Sequence, residues 1–167
     1  AALFVSDVTA QAPAAEAAPA EAAAPKADSG DTAWILASSA LVMLMTLPGL
    51  ALFYGGLTRQ KNPLSTILHS FICLCLGSIA WVVFRYSMAY GPDVGGVIGT
   101  LDWFMLKGVG ADPSPTYGPT IPHMLFMVFQ LMFAAITPAL ITGALAERIR
   151  FSSMLWFLGI WSVVVYY

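Results

Sequence analysis

Four stretches without a single charge divide this sequence. They cover residues 32–58, 62–84, 113–146 and 151–167, which is 27, 23, 34 and 17 residues respectively. Roughly 20 consecutive apolar residues carry a helix across a bilayer core. The pattern therefore predicts three complete membrane spans and a fourth cut short, at about 31–57, 64–90, 121–146 and 153–167. Only 10% of the residues are charged, against about a quarter in an ordinary soluble domain. Four such runs in 167 residues leave no room for a soluble protein with a few buried helices. The fold class is an all-α integral membrane protein, a polytopic helical bundle. No nucleic-acid partner, cofactor or metal is expected, and membrane lipid is the surrounding solvent.

The chain opens on "AALFVSDVTAQA", without an initiating Met. Small residues at Val8/Ala10 or Ala10/Ala12 suit a cleavage site, so 1–12 reads as a signal-peptide remnant. Residues 13–30, rich in Ala, Pro and Glu, have nothing large to bury and read as a disordered tail. Pro13, Pro19 and Pro25 work against a helix there. At the other end "WSVVVYY" stops partway along a span, and the chain is expected to be the front portion of a longer membrane protein.

In "SGDTAW", Asp31 offers an N-cap for the first span. Arg59 and Lys61 fall in one short loop, Arg148 and Arg150 in another two spans later. Both loops lie on one side, and the positive-inside rule makes that side cytoplasmic. The amino terminus is then outside, in agreement with a removed signal, and the location is the cell (inner) membrane. Arg85, near the outer end of the second span, is expected to snorkel to the headgroups. In the long outer loop, about 91–120, "LDWFML" reads as a short interfacial helix with Trp103 and Phe104 at headgroup level.

The third span carries the most information. At 100° per residue, His123, Phe126, Phe129, Gln130, Phe133 and Thr137 share one face, while Ala135, Pro138, Ala139, Thr142 and Ala146 share the other. Small residues let a second helix come close, and an amide facing lipid is costly. Both faces are thus expected to meet protein or a cavity. Spacing alone leaves two readings of the aromatic stripe open, packing and binding. Gln130 reads as interhelical glue and His123 as interfacial. His69, inside the second span, is either a functional ionisable group or a neutral side chain bonded to a neighbouring helix. Cys73 and Cys75 point about 200° apart and read as packing residues. Glu147, Arg148 and Arg150 read as capping and loop-pairing residues. No converging ionisable cluster suggests an enzyme.

Four stretches, "LPGLALFYGGLTRQKNPLS", "WVVFRYSMAYG", "LDWFMLK" and "ITGALAERIRFSS", together resemble the amino-terminal third of ammonium transporters of the Amt/MEP/Rh family, on the bacterial Amt-like side. The resemblance covers about residues 31–167. It implies eleven spans built from inverted five-helix repeats, of which this chain supplies the first four, and a homotrimer with one narrow pore per subunit. It also implies that Phe133, in an "FQxxF" setting, belongs to the outer ammonium site and gate ring, and that Phe129 lines the vestibule. Gln130 and Thr137 would be pore-side support. The tryptophan completing the outer site, the pore histidine pair and the cytoplasmic tail would lie beyond Tyr167. Neither His69 nor His123 matches that pair, and Arg85 stands where the family has a small residue.

The function implied is transport of ammonium, recruited at an aromatic site and conducted as ammonia, for nitrogen uptake. A PII-type nitrogen-signalling protein is a possible partner through the absent cytoplasmic regions. An ammonium sensor, with the same bundle fused to a signalling domain, shares all four stretches. An unrelated channel or transporter is the further alternative.

Overall fold

The computed structural model describes residues 25–166. The readings of a signal remnant at 1–12 and of most of the 13–30 tail lie outside the described residues. Three long apolar rods dominate, Ser29–Leu57, Pro63–Tyr90 and His123–Leu145, of 29, 28 and 23 residues. At 1.5 Å per residue even the shortest reaches roughly 35 Å, enough for a hydrocarbon core of about 30 Å. A fourth, shorter helix, Phe151–Val164, follows.

Two of the rods change pitch midway. The first is α1 (Ser29–Leu44), a wide π-type turn at Met45–Leu50, then α2 (Ala51–Leu57). Pro48 lies in that turn, and a ring without an N–H removes one helical bond and crowds the carbonyl before it. The second is α3 (Pro63–Ala80), a π-type turn at Trp81–Arg85, and α4 (Tyr86–Tyr90). Here the Tyr86 N–H donates to the Trp81 carbonyl, an i→i+5 bond. The third rod is α5 (His123–Leu145), and Phe151–Val164 is α6.

Between α4 and α5 the loop folds into two small antiparallel ribbons. β1 (Asp93–Val94) pairs with β2 (Ile98–Gly99), and β3 (Pro113–Ser114) with β4 (Gly118–Pro122). In "LDWFML" the structure departs from the interfacial helix expected there. Met105 and Leu106 take left-handed backbone angles, φ 55° and 59°, which leave only one tight turn at Phe104–Leu106. Phe104 points outward, but Trp103 turns in and stacks on Tyr86 with ring centroids 5.7 Å apart.

α5 packs on α3 and on α1. The α3 contact is made by small residues. Ala134, Ala135 and Ala139 are fully buried, and a Cβ built on Gly77 would sit 3.6 Å from the Ala135 Cα. Between helices in lipid no hydrophobic drive operates, so close backbone approach of this kind supplies the dispersion contact that holds them. A second contact joins α2 to α5. The Tyr54 hydroxyl donates to the Leu140 carbonyl at 2.9 Å, and its ring lies over Gly143.

Three side chains sit elsewhere than the sequence reading places them. The N-cap of the first span is Asp28, whose Oδ1 accepts from the Asp31 N–H at 2.9 Å, so Asp31 lies inside the first turn. Arg85 is buried, and its Nη2 donates to the Gly159 carbonyl of α6 at 3.4 Å instead of reaching headgroups. The π-type turn that ends at Arg85 rotates it away from where an α-helical count puts it. His123 is buried as well, bonded to Tyr86.

Gly143→Ala in the full-length protein would drive a Cβ into the Tyr54 ring. Overpacking of this kind costs about 1–3 kcal/mol. Thermal unfolding should show a clear loss for Gly143→Ala and none for Gly56→Ala, where an added Cβ meets nothing within 4 Å.

Candidate functional site

The stripe on α5 follows from its sequence. Phe126, Phe129, Gln130, Phe133 and Thr137 recur at spacings of three and four, which lines them up on one side of a helix. The opposite side carries Ala135, Pro138, Ala139 and Thr142, all buried. Packing of the small side therefore fixes the direction of the aromatic one. Phe129 and Phe133 meet edge to face with centroids 5.2 Å apart and planes at 74°. The Thr137 hydroxyl donates to the Phe133 carbonyl at 2.8 Å, so its polar group is absorbed by its own helix. Phe129 is half-buried and Phe133 is 38% exposed. The face of a phenyl ring carries negative charge density, so an open ring can attract a cation that reaches that face.

Toward the long-loop end the stripe runs into a cluster of aromatic rings that sequence reading missed. Tyr117 stacks on Phe126 at 5.4 Å, and Tyr90 meets Phe126 edge-on at 5.3 Å. Tyr86, wholly buried, shares a 2.7 Å hydrogen bond with His123 Nε2. The Trp81 indole N–H donates to the Met127 carbonyl at 3.3 Å. On an α-helical count Trp81 and Tyr86 lie about 140° apart. The i→i+5 turn between them brings their rings to 5.7 Å. The loop is pinned to the same cluster. The Ser87 hydroxyl donates to the Thr100 carbonyl and accepts from the Trp103 N–H, and the Tyr117 hydroxyl donates to the Tyr90 carbonyl.

Beside this cluster is a cavity of about 510 Å³, bordered by Trp81, Tyr90, Tyr117, Gln130 and Tyr166, with Asp93 among its lining. Gln130 borders this cavity. Of the four residues named from the sequence, Phe129 and Phe133 are in contact, Gln130 borders the cavity and Thr137 bonds to its own helix.

At the other end the two basic loops are tied together. α5 ends at Leu145 with Ala146 as its C-cap, and Glu147 takes φ 61°, the left-handed position that often follows a helix end. That turn aims its carboxylate at the first loop. Oε1 accepts from the Asn62 side-chain amide at 3.0 Å and from the Arg59 backbone N–H at 3.3 Å, while Oε2 lies 3.9 Å from Arg59 Nε. The Asn62 bond first, then the Arg59 contacts, hold the carboxyl below its ordinary value. Among the described residues no group of three or more His, Cys, Asp or Glu side chains is placed to hold a metal.

The family model described as "Ammonium Transporter Family" matches residues 33–167. The chain is 52% identical over 137 residues to an ammonium transporter of Bacillus subtilis, covering 82% of this chain and 33% of that protein. It is 46% identical over 155 residues to an ammonium transporter of Mycobacterium tuberculosis, covering 84% and 32%. Among solved structures it is similar to Candida albicans Mep2, with a TM-score of 0.70 and 39% identity over 84% of this chain and 30% of that one. The chain spans about a third of the length of the relatives it matches.

A carboxylate whose folded-state pKa is depressed adds stability above its unfolded value and loses it as pH falls through the folded one. For Glu147 that window lies below about pH 4.5. Between pH 7 and 5 the loop clamp should hold, and hydrogen-exchange protection at 58–62, measured against the intrinsic exchange rate at each pH, should stay constant. Further acidification should lower that protection, and Glu147→Gln should remove its pH dependence.

Proposed function

The chain belongs to the ammonium transporter family, and on that footing we propose that it forms the first part of a conduit that recruits ammonium at an aromatic outer site and passes ammonia through an apolar pore. The single observation supporting this most directly is the Phe129–Phe133 pair, held edge to face with one ring open. Phe133 is the ring that meets the cation, Phe129 its backing, and Gln130 and Thr137 flank the passage. Since the relatives are about three times as long, helices from the rest of the protein cover this side of α5 and complete the pore.

Energetics favour deprotonation. Moving a small ion into a low-dielectric interior costs on the order of 20 kcal/mol in the idealised limit. A ring face returns about 2 kcal/mol when desolvated. Such a ring can recruit and orient ammonium but cannot carry its charge across about 30 Å of hydrocarbon. Neutral ammonia crosses at far lower cost once a proton is left behind. Potassium, with no proton to give, is rejected by chemistry more than by diameter.

The orientation proposed places the Arg59–Lys61 and Arg148–Arg150 loops in the cytoplasm and the long loop outside. Arg59 and Glu147 bring the two basic loops to one end, as the positive-inside rule needs. The whole protein is proposed to be a homotrimer in the cell membrane serving nitrogen uptake, open to a PII-type partner on its cytoplasmic side.

Replacing Phe133 with Ala in the full-length protein removes the ring. At about 2 kcal/mol, half-saturation for methylammonium uptake should rise roughly 30-fold. Uptake kinetics in a folded, correctly assembled variant measure this, and an unchanged half-saturation contradicts the binding role.

A further inference from the structure

The long loop carries a charge that the aromatic stripe does not use. Among the described residues, Asp93 is the one charged side chain on the lining of the cavity of about 510 Å³ beside Gln130. It is exposed, and its carboxylate makes no hydrogen bond or ion pair with the described residues. Asp102, further along the loop, is by contrast committed, its Oδ2 accepting from the Thr100 hydroxyl at 2.6 Å. No Lys, Arg or His borders the cavity, whose remaining lining is aromatic, apolar or glycine apart from Gln130. His69, the ionisable group inside the second span, is buried far along the chain's other end of α3, stacked on Phe151 at 5.6 Å, and takes no part in this space.

The segment "GPDVGGVIGT" holds Asp93 in a fixed place. Gly95 and Gly96 take φ 66° and 75°, angles open to glycine without steric cost, and so close the turn between β1 and β2. Strand pairing then sets Asp93 opposite Gly99. A Cβ on Gly99 would fall 2.7 Å from the Ser87 carbonyl oxygen and 2.8 Å from that of Met88, so the ribbon lies directly on the end of α4. At its base the Thr100 N–H donates to the Pro92 carbonyl at 2.8 Å, one residue before Asp93. The charge is thereby carried on a ribbon clamped to the helix that also supplies Tyr86 and Tyr90.

A fixed carboxylate at a cleft with low-dielectric walls concentrates the field of its charge and raises the local concentration of cations. Across about 8 Å of water a single charge enriches a monovalent cation about twofold, and apolar walls increase this. Such attraction reads the sign of a charge and not its shape. It gathers protonated amines and leaves their discrimination from potassium to later steps.

We propose that Asp93 is a positioning residue for transport, drawing protonated amines from the medium into the cavity beside Gln130, ahead of Phe133. This rests on the conduit proposed above and adds to it an entry step that depends on charge, which a ring pair does not supply.

The test measures methylammonium uptake by the full-length protein with the long-loop side facing the medium. It is run at about 10 mM and about 1 M salt, where charges are screened over about 30 Å and about 3 Å. At the lower salt Asp93→Asn should raise half-saturation about threefold, and Asp93→Lys further, with the maximal rate unchanged. Asp93→Glu should stay near the parent protein. At the higher salt all variants should converge on the parent. An Asp93→Asn effect that persists at high salt reports packing and overturns the proposal. So does parental half-saturation in Asp93→Asn at low salt, or an Asp93→Glu variant as impaired as Asp93→Asn. Phe133→Ala keeps the two readings apart, since loss of a ring contact should raise half-saturation at both salt levels. If Phe133→Ala alone has no effect, the ring reading fails and a salt-dependent Asp93 effect still stands; if Asp93→Asn alone has none, the ring reading stands and the entry step falls.

Discussion

Helices surrounded by lipid gain nothing from hiding oily side chains against each other, so the approach of α5 to α3 depends on how closely two backbones can come. Gly77 on one side and Ala134 and Ala135 on the other allow that approach. From it the remaining geometry follows. Once the small side of α5 is committed to α3 and α1, the side bearing Phe129, Gln130 and Phe133 must turn elsewhere. Both ends of α5 are then fastened. At one, His123 bonds to Tyr86 beneath a pinned loop; at the other, Tyr54 reaches the Leu140 carbonyl and Glu147 binds the first basic loop. A helix fixed at its middle and at both ends can hold an aromatic pair in one geometry, which the proposed cation site requires.

The helical membrane fold was legible because charge is so costly in hydrocarbon that lipid selects against it, and uncharged runs of more than twenty residues seldom arise in water-facing chains. The shared side of Phe129 and Phe133 was equally legible, since a spacing of four needs only a regular helix. What escaped were features that depend on irregular helix. The turn at Trp81–Arg85 shifts everything after it, so an α-helical count could not bring Trp81 beside Tyr86, and depth along the span alone did not show that Arg85 meets the Gly159 carbonyl of α6. "WVVFRYSMAY" does hold a signal, its density of aromatic residues, but density without phase does not say which rings meet. Trp103 was misplaced because the left-handed angles of Met105 and Leu106 break the helix that "LDWFML" would otherwise favour. The part proposed for Phe133 came from family resemblance; periodicity alone left it between packing and binding.

Glu147 shows how one residue can serve both backbone and charge. Its left-handed conformation carries a steric cost of about 1–2 kcal/mol for a residue with a Cβ. In exchange the chain reverses sharply after α5, and the carboxylate reaches a backbone N–H and an amide of the other loop. The basic-loop end is thereby organised around a carboxylate, while the long-loop end is organised around stacked rings.

The central claim is that packing of the small side of α5 delivers Phe133 to a passage and not to lipid. A structure of the full-length protein determined in a lipid bilayer measures this directly. The account predicts that the Phe133 ring borders an opening continuous with the long-loop side and enclosed by later helices of the same subunit. A Phe133 ring lying against acyl chains, with no opening beside it, would contradict the account.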